Sequence, residues 1–417
     1  MRYCCIIYTI EFPGGERGCS APVAGWDVNS RGLCTVPDIT AAQPLNGLIA
    51  VELGTSVAAP AAAMILAELG AEVFKIEPPQ GDDARHWGPP FHDGDGMNFV
   101  ALNRNKRSVA ADLKDEAQRN AVRKFILEHA DIVIQNLRAG VVEKFGLDGA
   151  MLRKAKPSLI YCNLAAFGRK GPRADKPGYD PLMQAFGGIM SITGHDGDEP
   201  VRVGPAIVDK GSGMWLIIGA LAALRRRELT GEGCVVDGSL YETALHWMAV
   251  PTAQYLASKR APKRMGSENL AIAPYRAFEA SDGWLMIAVG NDGHFRRLAA
   301  ALKHSEWAND PRFLTNKDRV VNREAVNALV ADALKIHSRA HWQAELDEAG
   351  VPCAPVLSID EAIEDPQSRA LGMLQEAPDG GLPLMGLPVS FDGKRPPLRR
   401  SAPKLGEAGE AVFGKKE

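Results

Sequence analysis

The chain has 417 residues, 46% hydrophobic and 24% charged, the proportions of a globular protein with room for two domains or one large one. Its formal net charge of −3 leaves no electrostatic case for nucleic-acid binding, and no apolar run reaches membrane-spanning length. Four of the seven cysteines precede residue 35 and no Cys-x-x-Cys pair occurs, so neither a zinc site nor a redox motif is signalled. Isolated cysteines in a long chain point to a reducing compartment, and a cytoplasmic protein is expected.

Residues 1–44 read as an extension, either poorly ordered or the product of an upstream start, and no chemistry is assigned to them. From Leu48 the pattern alternates. Leu48–Leu53 is a strand and Pro60–Leu69 an alanine-rich helix, with proline in its first turn and Gly70 at its end. Glu72–Glu77 is the next strand, which makes a right-handed βαβ unit. Ser108–Leu113, a helix over 116–129, and strands Asp131–Asn136 and Leu159–Leu164 continue the series. The expected fold class is α/β, with a Rossmann-like open parallel sheet. The loop after the first strand, GTSVAAP over 54–60, lacks the G-x-G-x-x-G fingerprint, which argues against a dinucleotide.

The apolar segment Asp180–Ile192 is interrupted at Gly187-Gly188, and a polar turn follows at His195–Pro200. Pro205–Val208 then reads as a short strand ending on Asp209, ahead of a helix over Met214–Leu224 that stops at the outward-facing Arg225–Arg227. An acid at a strand end facing a helix N-terminus is open to a substrate. Aspartate ahead of a helix is usually an N-cap, and on the residues alone that role comes ahead of a reactive one. Cys234–Asp237 reads as a strand and Leu240–Ser258 as one helix leading out of the first domain. Beyond it come a β-like stretch at Ala271–Phe278, a strand at Gly283–Val289 and helices over 293–303, 322–336 and 338–348. We therefore expect a large domain over 45–240 and 350–417, a smaller α+β domain over 259–345, and linkers at 241–258 and 346–349.

Polar clusters close several strands: Lys75–Arg85, Asn103–Ser108, and Gln135–Gly140 leading to Lys144. Each alone reads as a solvated loop. Together they supply cations and amides along one sheet edge, which suits a ligand carrying phosphates.

The run GPAIVDKGSG (204–213), with GYDPLMQAFGG (178–188) before it and ALRRRELTGEG (223–233) after it, resembles the core signature of class III CoA-transferases, a family that also holds 2-methylacyl-CoA racemase-like enzymes. PLNG at 44–47, GVPCAPV at 350–356 and APKLG at 402–406 extend the resemblance over about residues 44–410. It implies that Asp209 is a nucleophile and that CoA is held by Thr55, Ser56, Val57, Ala58, Arg85, Lys114, Asn136, Lys144 and Tyr179. Pro78 stands where the family has an arginine, with Arg85 expected to substitute from the next turn. Asp180 is expected to orient the nucleophile. Oxyanion donors are expected near Gly211–Gly213 or Ser56–Ala58. Gly266–Asn269 is a candidate lid, or else a plain interdomain turn. The resemblance further implies an interlocked, ring-like homodimer, with acyl-CoA and a small carboxylic acid as substrates. It implies no permanently bound cofactor, no metal, no nucleic acid and no membrane. Two alternatives remain. One is a racemase, for which Tyr179 replaces the family's histidine and His195 lies in the next loop. The other is a CoA-binding protein without catalysis.

Overall fold

The structure, a computed structural model, describes residues 43–414 and the backbone of a short antiparallel pair, Asp27–Val28 with Cys34–Thr35. The expectation for residues 1–44 falls almost wholly outside the described residues.

Six strands form one parallel sheet: β1 (Ile49–Glu52), β2 (Glu72–Glu77), β3 (Lys106–Ala110), β4 (Ile132–Gln135), β5 (Ile160–Ala165) and β6 (Val235–Ser239). Their order is β3-β2-β1-β4-β5-β6. All four residues of β4 are buried, as a strand covered on both faces requires. On one face, α1 (Ala58–Glu68) and the 24-residue α4 (Ile207–Thr230) close a core with Ile132, Ile134, Ile160 and Leu164. On the other face α2 (Glu116–His129) covers Val51, Phe74 and Val133. Alanines in α1 let α4 approach closely. A Cβ added at Gly213 would stand 2.9 Å from Ala58 O, so glycine permits that contact.

Three local expectations are corrected. Pro205–Val208 is not a strand, because α4 begins at Ile207. The β-branched pair Ile207-Val208 favours a strand, but the Asp180 carboxylate accepts the amides of Val208 (2.8 Å) and Asp209 (3.1 Å) and caps a helix instead. That helix also runs past Leu224 to Thr230 and closes on Gly231 at φ +73. Arg227 turns inward to Asp131 at 2.9 Å. By length and composition α4 could cross a membrane, yet 56% of its most apolar window is buried within the chain. The helix expected over 240–258 is two, α5 (Leu240–Trp247) and α6 (Ala249–Ser258). Pro251 cannot donate a hydrogen bond to the Trp247 carbonyl, so the helix breaks at Met248.

A second core, running from Ala273 to Val351, lies between a three-stranded antiparallel sheet and three helices. The strands are β7 (Tyr275–Ala280), β8 (Gly283–Ala288) and β9 (Cys353–Pro355), with β8 central. The helices are Asp292–Ala301, Arg323–Leu334 and Arg339–Glu348. The chain then returns to the large sheet. Gly406 N donates to Ser108 Oγ (3.0 Å) and Ala408 N to Ser108 O (2.8 Å) on β3.

Candidate active site

The chain leaves β1 towards one edge of the sheet and leaves β4 towards the other, so the loops after these two neighbours diverge and open a crevice at their carboxyl ends. The loops are stitched together at its base. Thr55 N donates to Asn136 Oδ1 (2.9 Å), and Asn136 Nδ2 donates back to Thr55 O (3.0 Å). The cleft above has a volume of about 510 Å³. Its walls are residues 55–58, 135–139, 163–166 and 174–179, with Asp209 among them.

Asp209 is the third residue of α4 and only 8% exposed. It is neither at a strand end nor an N-cap; Ala206 holds the cap position. Burial first, and then the neighbouring Asp180 carboxylate, push the Asp209 carboxyl up to about 7. Asp180 is buried and fully engaged. Besides the two helix amides it accepts from Gln184 Nε2, while Gln184 Oε1 accepts from Val203 N (2.8 Å). Asp209 therefore has a fixed backbone and a side chain free to react.

A second helix start faces the same cleft. The first-turn amides of α1 have no side-chain cap, and Pro60 supplies no donor. Thr55 N and Ser56 N are already committed, to Asn136 and Asp82. The amides of Val57 and Ala58 are the next in line, and no partner for them occurs among the described residues. Val57, Ala58 and Asp209 line the same cleft, and free amides at a helix start are donors of the kind that can stabilise a developing oxyanion.

Of the ligand residues expected from sequence, Thr55, Ser56, Val57, Ala58, Asn136 and Tyr179 line this cleft. Tyr179 is 54% exposed and occupies the N-cap position of α3 (Asp180–Phe186) without a side-chain capping bond. Arg85 is elsewhere. Its guanidinium bonds Glu77 twice (2.8 Å each), Asp95 (2.9 Å) and Pro403 O (3.1 Å), and lies over the Phe99 ring. A buried Glu77 requires that partner, so Arg85 has no donors to spare for a ligand. Lys114 is exposed beyond β3, and Lys144 is exposed beside the cleft residues Val142 and Glu143 without lining it.

The amides of Gly211–Gly213 lie past the first turn of α4 and point back along the helix, so they are not oxyanion donors. Gly211 instead leaves room for the Trp247 indole, 2.8 Å from where its Cβ would stand. Gly266 is at φ +60, donates to Gly194 O (2.8 Å) and packs on the His195 ring; neither residue reaches the cleft. Sequence reasoning missed Arg169 and Lys176, which line the cleft together with Arg138. They sit in the loop after β5, and their place at a parallel strand's carboxyl end was the available signal.

These features define an α/β protein with a cleft at the switch point of its parallel sheet, lined by a buried carboxylate. The family described as CoA-transferase family III matches residues 45–409, and the chain belongs to it. It is a CoA-transferase. It is 39% identical over 386 residues to the succinate–glutarate CoA-transferase of Agrobacterium fabrum, covering 90% of this chain and 96% of that one. It is 37% identical to the acetyl-CoA:oxalate CoA-transferase of Acetobacter aceti, over 88% of this chain and 95% of that one. The crystal structure of a CaiB/BaiF family protein from Brucella suis superposes with a TM-score of 0.81 at 41% identity, covering 89% of this chain and 98% of that one.

Proposed function

We propose that Asp209 is the nucleophile of the transfer and that the acceptor is a small dicarboxylic acid. The observation that carries the first part is the position of Asp209: a buried carboxylate at one helix start, beside the uncapped start of α1. In the reaction, the Asp209 carboxylate attacks the acyl-CoA carbonyl, the C–S bond breaks, and an aspartyl-acyl anhydride forms with CoA thiolate. The thiolate attacks the aspartyl carbonyl and releases the first acid, leaving an aspartyl-CoA thioester. The acceptor carboxylate displaces the thiolate to give a new anhydride. Thiolate attack on the acyl carbonyl of that anhydride then gives the new acyl-CoA and regenerates Asp209. The Val57 and Ala58 amides stabilise the oxyanion of each step. CoA lies along Thr55–Ala58, Asn136 and Tyr179, with Arg138, Arg169 and Lys176 neutralising its phosphates.

The dicarboxylate rests on the relatives, whose names specify succinate with glutarate, and oxalate. Arg202 and the loop Lys259–Arg264 lend it little support, since Arg202 bonds the neighbouring carbonyls of Val203 and Gly204 and Lys263 pairs with Asp196 (3.2 Å). Racemisation is disfavoured because His195 packs on Gly266, and no imidazole lines the cleft among the described residues.

The working unit is an interlocked homodimer. The outer face of α4 exposes Met214, Trp215, Ile218 and Leu221, and α6 has no buried residue. An apolar surface of that extent is stable in water when a second subunit covers it.

The test is exchange in D2O with a panel of acyl-CoA thioesters and free acids, reading all CoA species by mass spectrometry. New thioesters of diacids support the proposal. Deuterium at the α carbon without new thioesters overturns it. Asp209→Ala is expected to lower exchange by at least about 10³-fold while CoA still binds.

A further inference from the structure

Beneath the floor of the cleft lies a cluster of charged side chains with almost no access to water. Lys75, Lys106 and Glu52 are 0% exposed and Asp82 is 1% exposed. Lys75 Nζ stands 2.8 Å from Glu52 and 2.8 Å from Asp82, and Lys106 Nζ stands 2.7 Å from Glu52. Glu77, paired with Arg85 and Ser108, adjoins them. Burying this much charge is costly, and a well-packed apolar core in its place is often no less stable. Stability alone therefore does not account for the cluster.

Asp82 Oδ1 also accepts the Ala84 amide (3.0 Å), and most of the cluster's other hydrogen bonds run to one segment, Gly54–Pro60, where β1 passes into α1. Lys75 Nζ donates to Gly54 O (2.8 Å). Asp82 accepts the Ser56 amide on both oxygens (3.0 and 3.2 Å). Lys106 Nζ donates to Pro60 O (2.9 Å), its third position being taken by Asn103 Oδ1 (2.8 Å). The segment so held contains Ser56 at φ +70, a left-handed conformation that a non-glycine residue adopts at a cost of about 1 kcal/mol or more. The next two residues, Val57 and Ala58, carry the unpartnered amides of the cleft. Turning Ser56 back to an ordinary conformation would swing those amides away.

We infer that Glu52, Lys75, Asp82 and Lys106 form a buried positioning device that sets the Val57 and Ala58 amides against the reacting carbonyl. Asp82 is its contact with the turn, Lys75 fixes Asp82, and Glu52 links the two lysines. None of these four residues lines the cleft. The two lysines differ: burial works against the Lys75 ammonium but Glu52, Asp82 and Glu77 outweigh it and raise its pKa, whereas at Lys106 burial outweighs Glu52 and lowers the pKa to about 8. This inference rests on the reading of Asp209 as nucleophile. It also gives the Lys75–Arg85 cluster a purpose other than the phosphate binding expected from sequence.

The experiment follows formation of the covalent adduct on Asp209 after rapid mixing with an acyl-CoA, by quench and peptide mass mapping, alongside direct CoA binding and thermal midpoint. Asp82→Asn breaks the pairing with Lys75. Asp82→Glu keeps the charge, so the cluster stays balanced and the protein folds, but it displaces the carboxylate from Ser56. Both variants are expected to form the adduct about 10²-fold more slowly with CoA affinity within about threefold of wild type. Should Asp82→Asn not fold, Asp82→Glu alone decides. Adduct formation near the wild-type rate overturns the inference, as does a rate that falls only in proportion to CoA affinity. Wild-type protein that turns over without any Asp209 adduct removes the nucleophile reading, and the inference falls with it.

Discussion

At the scale of single residues, Asp209 and Asp180 share one small space and take opposite roles. Asp180 spends its carboxylate on backbone amides and a glutamine, so its charge is satisfied. Asp209 has the burial without the compensation, and its carboxyl is pushed up to about 7. Its proton is held more tightly in the folded chain than in the unfolded one. The stabilisation this brings is therefore present at low pH and fades as pH rises from the ordinary carboxylate range towards 7. With Asp209 as the proposed nucleophile, activity runs the other way, because only a carboxylate attacks. We expect kcat/KM, which reports the free enzyme, to climb with an apparent pKa near 7. Asp180→Asn, which removes the neighbouring charge, should move that limb to lower pH. A pH–rate series on both proteins checks it, and an unmoved limb would detach Asp180 from the titration.

Helices α1 and α4 are the elements that bring the cleft together. Their first turns both line it, and their packing decides how far apart Asp209 and the Val57–Ala58 amides stand. The contact is made at Gly213, where any side chain would meet the Ala58 carbonyl and the Ala62 amide at 2.9 and 3.0 Å. Backbone atoms cannot yield as a side-chain tip can. Gly213→Ala should destabilise the chain by about 1–3 kcal/mol and lower kcat, although Ala has the higher helix propensity. Denaturant unfolding with a kcat measurement tests this, and a stabilised variant would show that propensity outweighs the contact. The same pair of helices shows why Ile207-Val208 misleads. A helix start was decided by an acceptor 27 residues upstream of Ile207, outside any local window.

For the molecule as a whole, the unsettled surface is the outer face of α4 and the whole of α6. Ile218 is 54% exposed on a helix whose opposite side is core. Placing a carboxylate there leaves the fold of one subunit untouched but cannot be buried in an apolar interface. Ile218→Glu is expected to convert a dimer to a monomer by light scattering and to lose exchange activity with it. A variant that remains dimeric would place the interface elsewhere.

The amino-acid order by itself determined the parallel sheet, most strand and helix limits and the family, and it singled out the acid at 209 as the candidate, since short-range periodicity and contiguous motifs carry that information. It did not determine which cations face the ligand. Arg85 and Arg169 are the same residue type in similar polar loops, yet Arg85 is consumed by Glu77 while Arg169 lines the cleft. Burial and partner are properties of distant chain segments meeting in space. For the same reason only the tertiary structure showed Lys75, Asp82 and Lys106 bound beneath one turn, Asp180 capping a helix from another element, and the carboxyl of Asp209 raised by the company it keeps.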